Sequence, residues 1–212
     1  MRPYPHSILP AIACSLVSFL LLVLVTVSTP LWNSVYFLKL VTGPDEPEPF
    51  PSNYTVKFGV FGMSTVPHQL GYTPADWWVT ADVRDPTVDQ PSLRSITYAL
   101  VLHPISAFMS LITFGFATIG LCSRAGAVFS TFSAGLATLV TIVVFIVDVV
   151  LFSILKSQFH DSPYDGRHTS YGPAIWMVLA ALIACLVSLA SAAFTAVSLN
   201  RYPRKWANEQ QY

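Results

Sequence analysis

Charge is what this sequence has least of. Asp, Glu, Lys and Arg make up 10% of its 212 residues, against 53% hydrophobic, where a soluble domain carries about 25% charged residues. Acids and bases balance at 11 each, which leaves no basic footprint for a nucleic acid. Cysteines number only three. Cys14, Cys122 and Cys185 all lie in or beside apolar runs, and that excludes a disulfide framework and zinc-ligand spacing. No glycine-rich phosphate loop, HExxH or nucleophile elbow occurs. The chain is therefore expected to be no enzyme and to need no cofactor or metal.

What the sequence has instead is long apolar runs. A helix that crosses a bilayer needs about 20 mostly apolar residues. Four segments qualify, at 8–28, 96–121, 127–155 and 173–199. The first is longer than a signal peptide's apolar core of about 7–15 residues, so it is expected to stay in place. Between the spans lie a long loop (30–95), a tight turn (122–126) and a shorter loop (156–172), and a tail (200–212) follows. Arg2, Arg124, Arg201, Arg204 and Lys205 sit in short flanks, whereas Lys39, Lys57, Arg84, Arg94, Lys156 and Arg167 are spread over the two longer loops. The positive-inside rule then puts both termini in the cytosol and the two longer loops outside. The sequon at Asn53 falls on the outer side, where N-glycosylation occurs. Trp32 and Trp176 fit the outer interface, and Lys156 is placed to snorkel there. Cys122, at the inner boundary, is a candidate for palmitoylation.

The long loop has strand character. "SVYFLKLV" (34–41), "YTVKFGVFG" (54–62) and "DWWVTADV" (76–83) are rich in β-branched and aromatic residues. The proline-rich "GPDEPEPFP" (43–51) reads as an extended link, because proline has no N–H to give a ladder. A small extracellular sheet within this first loop is expected. "HDSPYDGRH" (160–168) reads as a polar, solvated loop.

The fourth span carries Ala180, Ala184, Ser188, Ala192 and Ala196 at four-residue steps, the kind of small-residue stripe along which membrane helices approach one another. The third contains "VVFIVDVVLF" (143–152), with one carboxylate among apolar neighbours. Helical steps back from Asp148 reach Thr141, Ala137, Ala134 and Ser130, so Asp148 belongs to the packing face. His103, in the second span, stands about 10 Å below its outer end and Asp148 about 12 Å below the outer end of its own. The two are expected to pair. Such a pair either only fastens two helices or also responds to protons, since histidine titrates near pH 6.5.

The tetraspan plan with a β-rich first loop looks claudin-like. "FGVFG" (58–62, with Phe58, Gly59, Phe61 and Gly62), "LGY" (70–72), "VLHPISAFMSLITFGFATIG" (101–120) and "FIVDVVLFSILK" (145–156) resemble the fungal PalI/SUR-type plasma-membrane proteins. The resemblance implies a non-enzymatic scaffold or accessory subunit that assists an ambient-pH receptor. Other branches imply an eisosome-type organiser of membrane domains and cell wall, or claudin-like adhesion, cell fusion or ion permeation. Partners would be membrane lipids, other membrane proteins such as a pH-sensing receptor, or further copies of the chain. Related loops carry a cysteine near position 64, where this chain has Ser64.

Overall fold

A computed structural model describes residues 8–28, 32, 34–41, 55–60, 99–121, 123–160 and 168–201. Its elements are α1 (Leu9–Thr26), β1 (Leu38–Val41), β2 (Thr55–Phe58), a 3₁₀ turn (Ala99–Val101), α2 (Leu102–Gly120), α3 (Arg124–His160), β3 (His168–Tyr171) and α4 (Pro173–Arg201). Four of these helices are long and apolar enough to cross a membrane, with spans Leu9–Thr26, Leu102–Gly120, Ala125–Ile154 and Pro173–Ser198. The protein is a four-span membrane protein with a small three-stranded sheet.

Local chemistry sets where the helices begin. Pro10, Pro104 and Pro173 each fall in a first turn, where an N–H would have no intrahelical partner to lose. The α2–α3 turn is closed by Ser123, whose Oγ accepts the Gly126 N–H at 3.0 Å as an N-cap. Gly126 is required here. A Cβ at this position would lie 2.6 Å from the Gly120 nitrogen and 2.8 Å from the Ile119 carbonyl carbon, both main-chain atoms of α2. At 37 residues α3 is the longest element. Its length of about 55 Å exceeds the roughly 30 Å of bilayer hydrocarbon.

The chain divides into two compact units. One comprises Met1–Leu22, Ile105–Ile142 and Ala180–Tyr212. In it the four helices meet through small and hydroxyl-bearing side chains. Ala11, Ser15, Ser18, Ala107, Ser110, Ala134, Ala137, Thr141, Ala181, Ser188 and Ala192 are all buried, which permits close backbone approach.

The other unit comprises Val23–Pro104 and Val143–Leu179 and contains the sheet. The strand order is β2-β1-β3, with both pairings antiparallel. Leu38 pairs with Phe58 and Leu40 with Val56, and all four are buried on the inward face. Lys39 stands opposite Lys57 on the other face. The Lys57 ammonium lies 5.2 Å from the Tyr36 ring centroid, a cation–π contact. Val60 N–H donates to Ser28 Oγ at 2.9 Å, tying the end of β2 to the end of α1.

Three expectations need correction. The sheet does not belong to the first long loop alone, because β3 comes from the α3–α4 connection and begins at His168, the last residue of the 160–168 stretch expected to be a solvated loop. Its sequence, His-Thr-Ser-Tyr, is mostly exposed and gives no apolar alternation to read. Backbone pairing with β1 holds it. The packing face of α4 also differs from the four-step stripe. Ala180 is exposed, Ala184 and Ala196 are half-buried, and Ser188 and Ala192 are buried. The buried residues are Ala174, Val178, Ala181, Cys185, Ser188, Ala192 and Thr195, alternating four- and three-residue steps. At about 100° per residue a four-residue step drifts about 40° around the helix, so five positions at that spacing sweep most of the way to the opposite face. Alternating steps hold one face. The helical start of the second span also comes later than expected, at Leu102 after the 3₁₀ turn. The candidate strand at 76–83 lies outside the described residues.

Candidate functional site

His103 is the second residue of α2 and Asp148 lies in the apolar run of α3. Their exposures are 1% and 0%, and His103 Nε2 lies 3.1 Å from Asp148 Oδ2. The other ring nitrogen, Nδ1, lies 3.0 Å from the Leu100 carbonyl oxygen. The local sequence explains that second contact. In α-helical register the Leu100 oxygen would accept from the N–H of residue 104, but residue 104 is proline. The imidazole beside it stands in for the missing donor. Leu-His-Pro is therefore a chemical unit, in which the proline leaves a carbonyl in need and the histidine meets it.

Two aromatic rings cover the pair. Phe37, fully buried, stacks on Phe152 with centroids 4.7 Å apart and planes 5° apart. It meets the His103 ring edge-on at 5.7 Å and 74°. Its backbone is fixed on both sides. Phe37 N–H donates to the Phe58 carbonyl at 2.8 Å, and its own carbonyl accepts from Gly172 N–H at 2.7 Å. Next to it the Tyr36 carbonyl accepts the Ala174 N–H at 3.2 Å, satisfying a first-turn donor of α4. Gly172 is the second position where only glycine fits, since a Cβ there would lie 1.9 Å from the Tyr36 oxygen. The main chain of the sheet thus sets Phe37 over the pair. Asp148 Oδ1 finds no hydrogen-bond partner among the described residues.

A different polar cluster occupies the other unit. Thr141 Oγ1 lies 2.7 Å from the Ala137 carbonyl and 2.7 Å from Ser106 Oγ. The carbonyl can only accept, so Thr141 donates to it and receives the Ser106 proton. Cys185 Sγ lies 3.0 Å from Ser18 Oγ, 3.9 Å from Ser110 Oγ and 3.8 Å from Thr141 Oγ1. Ser188 Oγ donates to the Ala11 carbonyl at 3.1 Å. A cavity of about 10 Å³ beside Cys185 is lined by Ser15, Ser110, Thr113 and Ser188 together with Ala134 and Ala137, room for no more than about one water.

A sequence model of the SUR7/PalI family matches residues 7–188. The chain belongs to the SUR7/PalI family. This is a family of non-catalytic membrane proteins. Among curated proteins none matches the chain at a significant level. In this SUR7/PalI protein no group of three or more His, Cys, Asp or Glu side chains is placed to hold a metal ion among the described residues.

The remaining residues singled out in the sequence are dispersed. Lys156 Nζ lies 4.5 Å from the Tyr171 ring centroid. Trp32 and Trp176 are 51% and 67% exposed. Phe58 and Gly59 are buried at the end of β2. Asn53, Phe61, Gly62 and Cys122 lie outside the described residues. Sequence reasoning missed Phe37 and Phe152 as the cover of the SUR7/PalI protein's buried pair. Phe37 read only as part of a strand, and nothing local shows that its ring turns toward two helices distant in sequence.

Proposed function

We propose that this SUR7/PalI protein is a non-enzymatic accessory subunit of the plasma membrane that assists a membrane receptor in responding to ambient pH. Its N and C termini face the cytosol and its sheet faces outward. The observation that carries the reading is the His103–Asp148 contact, a histidine and a carboxylate joined across two membrane spans and covered by Phe37. Ionisable groups inside membrane spans are costly to hold and point by default to a functional site. The distribution of Lys and Arg supports the orientation. Family membership supports a non-catalytic role.

The test is proximity labelling in cells from the full chain at its native level, at acidic and at alkaline external pH. Recovery of a pH-sensing receptor is the expected result. Recovery of eisosome components alone transfers the chain to the membrane-organiser branch, and recovery of neither overturns the receptor-subunit reading. Orientation is tested by Asn53→Gln. It should abolish a glycosidase-sensitive mobility shift, and a wild-type chain without such a shift at the cell surface contradicts the proposed topology.

A further inference from the structure

We propose that His103 and Asp148 together form a binding site for one proton, held between Nε2 and Oδ2, and that this proton keeps the α2–α3 contact closed. As regulation the proposal rests on the function proposed above; as chemistry it rests on two distances. The Leu100 carbonyl, 3.0 Å from Nδ1, can only accept, so Nδ1 carries a hydrogen. A neutral imidazole has one N–H, and with that hydrogen on Nδ1 the other nitrogen presents a lone pair. An ionised carboxylate 3.1 Å away would oppose lone pair to lone pair. The contact becomes bonding when one more proton lies on the line, either as imidazolium donating to carboxylate or as carboxylic acid donating to imidazole. Both forms have the same proton count and no net charge.

The alternative tautomer fails on the other side of the ring. With its only hydrogen on Nε2, the imidazole would turn a bare Nδ1 toward the Leu100 oxygen, the oxygen that Pro104 already deprives of its α-helical donor. No arrangement with one proton fewer satisfies both nitrogens. Loss of the proton to solvent leaves a buried negative charge and one broken contact, so deprotonation favours separation of the two side chains.

Among the described residues, little else is placed to balance that charge. Within this unit α1 contributes Val23–Thr26 and α4 contributes Pro173–Leu179, which contain no titratable side chain. On α2 the only one is His103. On α3, Lys156 is directed over the Tyr171 ring. From the sheet side come Phe37, which carries no charge, Lys57 over the Tyr36 ring, Lys39 on the outward face and exposed His168. With Phe37 and Phe152 covering the pair, proton exchange requires a local opening.

The experiment uses the full chain, ¹⁵N-labelled at histidine, in lipid nanodiscs across a pH series, with the His103 signals assigned by their loss in His103→Gln. Infrared difference spectra follow the Asp148 carboxyl band. The expected result is an Nδ1–H on His103 throughout and one step that moves the ring and carboxyl signals together. Asp148→Asn is the informative variant. Its amide N–H can donate to Nε2 permanently, so the step should vanish while Nδ1–H persists. A wild-type His103 carrying its only hydrogen on Nε2 beside an ionised Asp148 on the acid side of the step overturns the proposal, as does a step that survives in Asp148→Asn. If that variant fails to fold, the wild-type spectra alone still decide the tautomer. A proton found in place, together with unchanged pH signalling in cells carrying a folded Asp148→Asn chain, overturns the function proposed above and leaves the proton site standing.

Discussion

Phe37→Ala is the perturbation that most directly tests how the sheet and the buried pair depend on each other. Phe37 is fully buried, with one face stacked on Phe152 at 4.7 Å and its ring edge-on to His103 at 5.7 Å. Truncating a buried phenylalanine costs about 3–5 kcal/mol, because the lost contacts and the residual cavity add. Of that, about 0.5–1.5 kcal/mol belongs to the aromatic geometry rather than to buried area. Collapse should recover little, since hydrogen bonds to Phe58 and Gly172 hold the Phe37 main chain on both sides. Phe37→Leu separates the contributions. It keeps most of the volume, so its cost should stay near or below about 1.5 kcal/mol plus the lost stacking. The assay is equilibrium unfolding of the purified chain in mixed micelles, with amide hydrogen exchange at β1 as a local readout. An Ala variant within about 1 kcal/mol of wild type, a cost far below that for a buried phenylalanine, would refute the argument that Phe37 is the seated cover of the pair.

Two further substitutions test separate contacts. Gly172→Ala places a carbon 1.9 Å from the Tyr36 oxygen. Neither main-chain atom can yield, so a loss of about 3 kcal/mol or more is expected in unfolding or in accumulation of folded chain. Gly135→Ala is its control, because the nearest atom there is the end of Leu189 at 3.9 Å, and it should be neutral or stabilising. Thr141→Val removes the acceptor for Ser106 and should lower stability in the same unfolding assay by about 0.6 kcal/mol, and by no more than about 1.7.

Much of the site was legible in the sequence because helical periodicity is a strong signal in long apolar runs. The turn of Asp148 toward Thr141 and Ala137, and its depth match with His103, need only the rise and twist of an ideal helix. The α4 packing face was misjudged at one end because alanine fits both the packed and the exposed positions of a membrane helix. Composition alone therefore does not separate a four-step ridge from an alternating one. β3 was illegible for a different reason. His-Thr-Ser-Tyr has no buried residue, and its strand state comes from pairing with Leu38–Val41, a partner more than a hundred residues away in the sequence. The role of Phe37 was hidden likewise, since a ring's direction at a strand entrance depends on backbone bonds to two distant segments.

The N–H missing at Pro104 has an evolutionary reading. An alanine at position 104 would return a main-chain N–H to the Leu100 oxygen and free the Nδ1 of His103 to become the bare nitrogen. Positions 103 and 104 are thus a single heritable unit, in which an imino acid that never ionises decides which face of its neighbour's ring holds hydrogen. A lineage that drifts at the proline changes the acid–base character of the histidine without touching it.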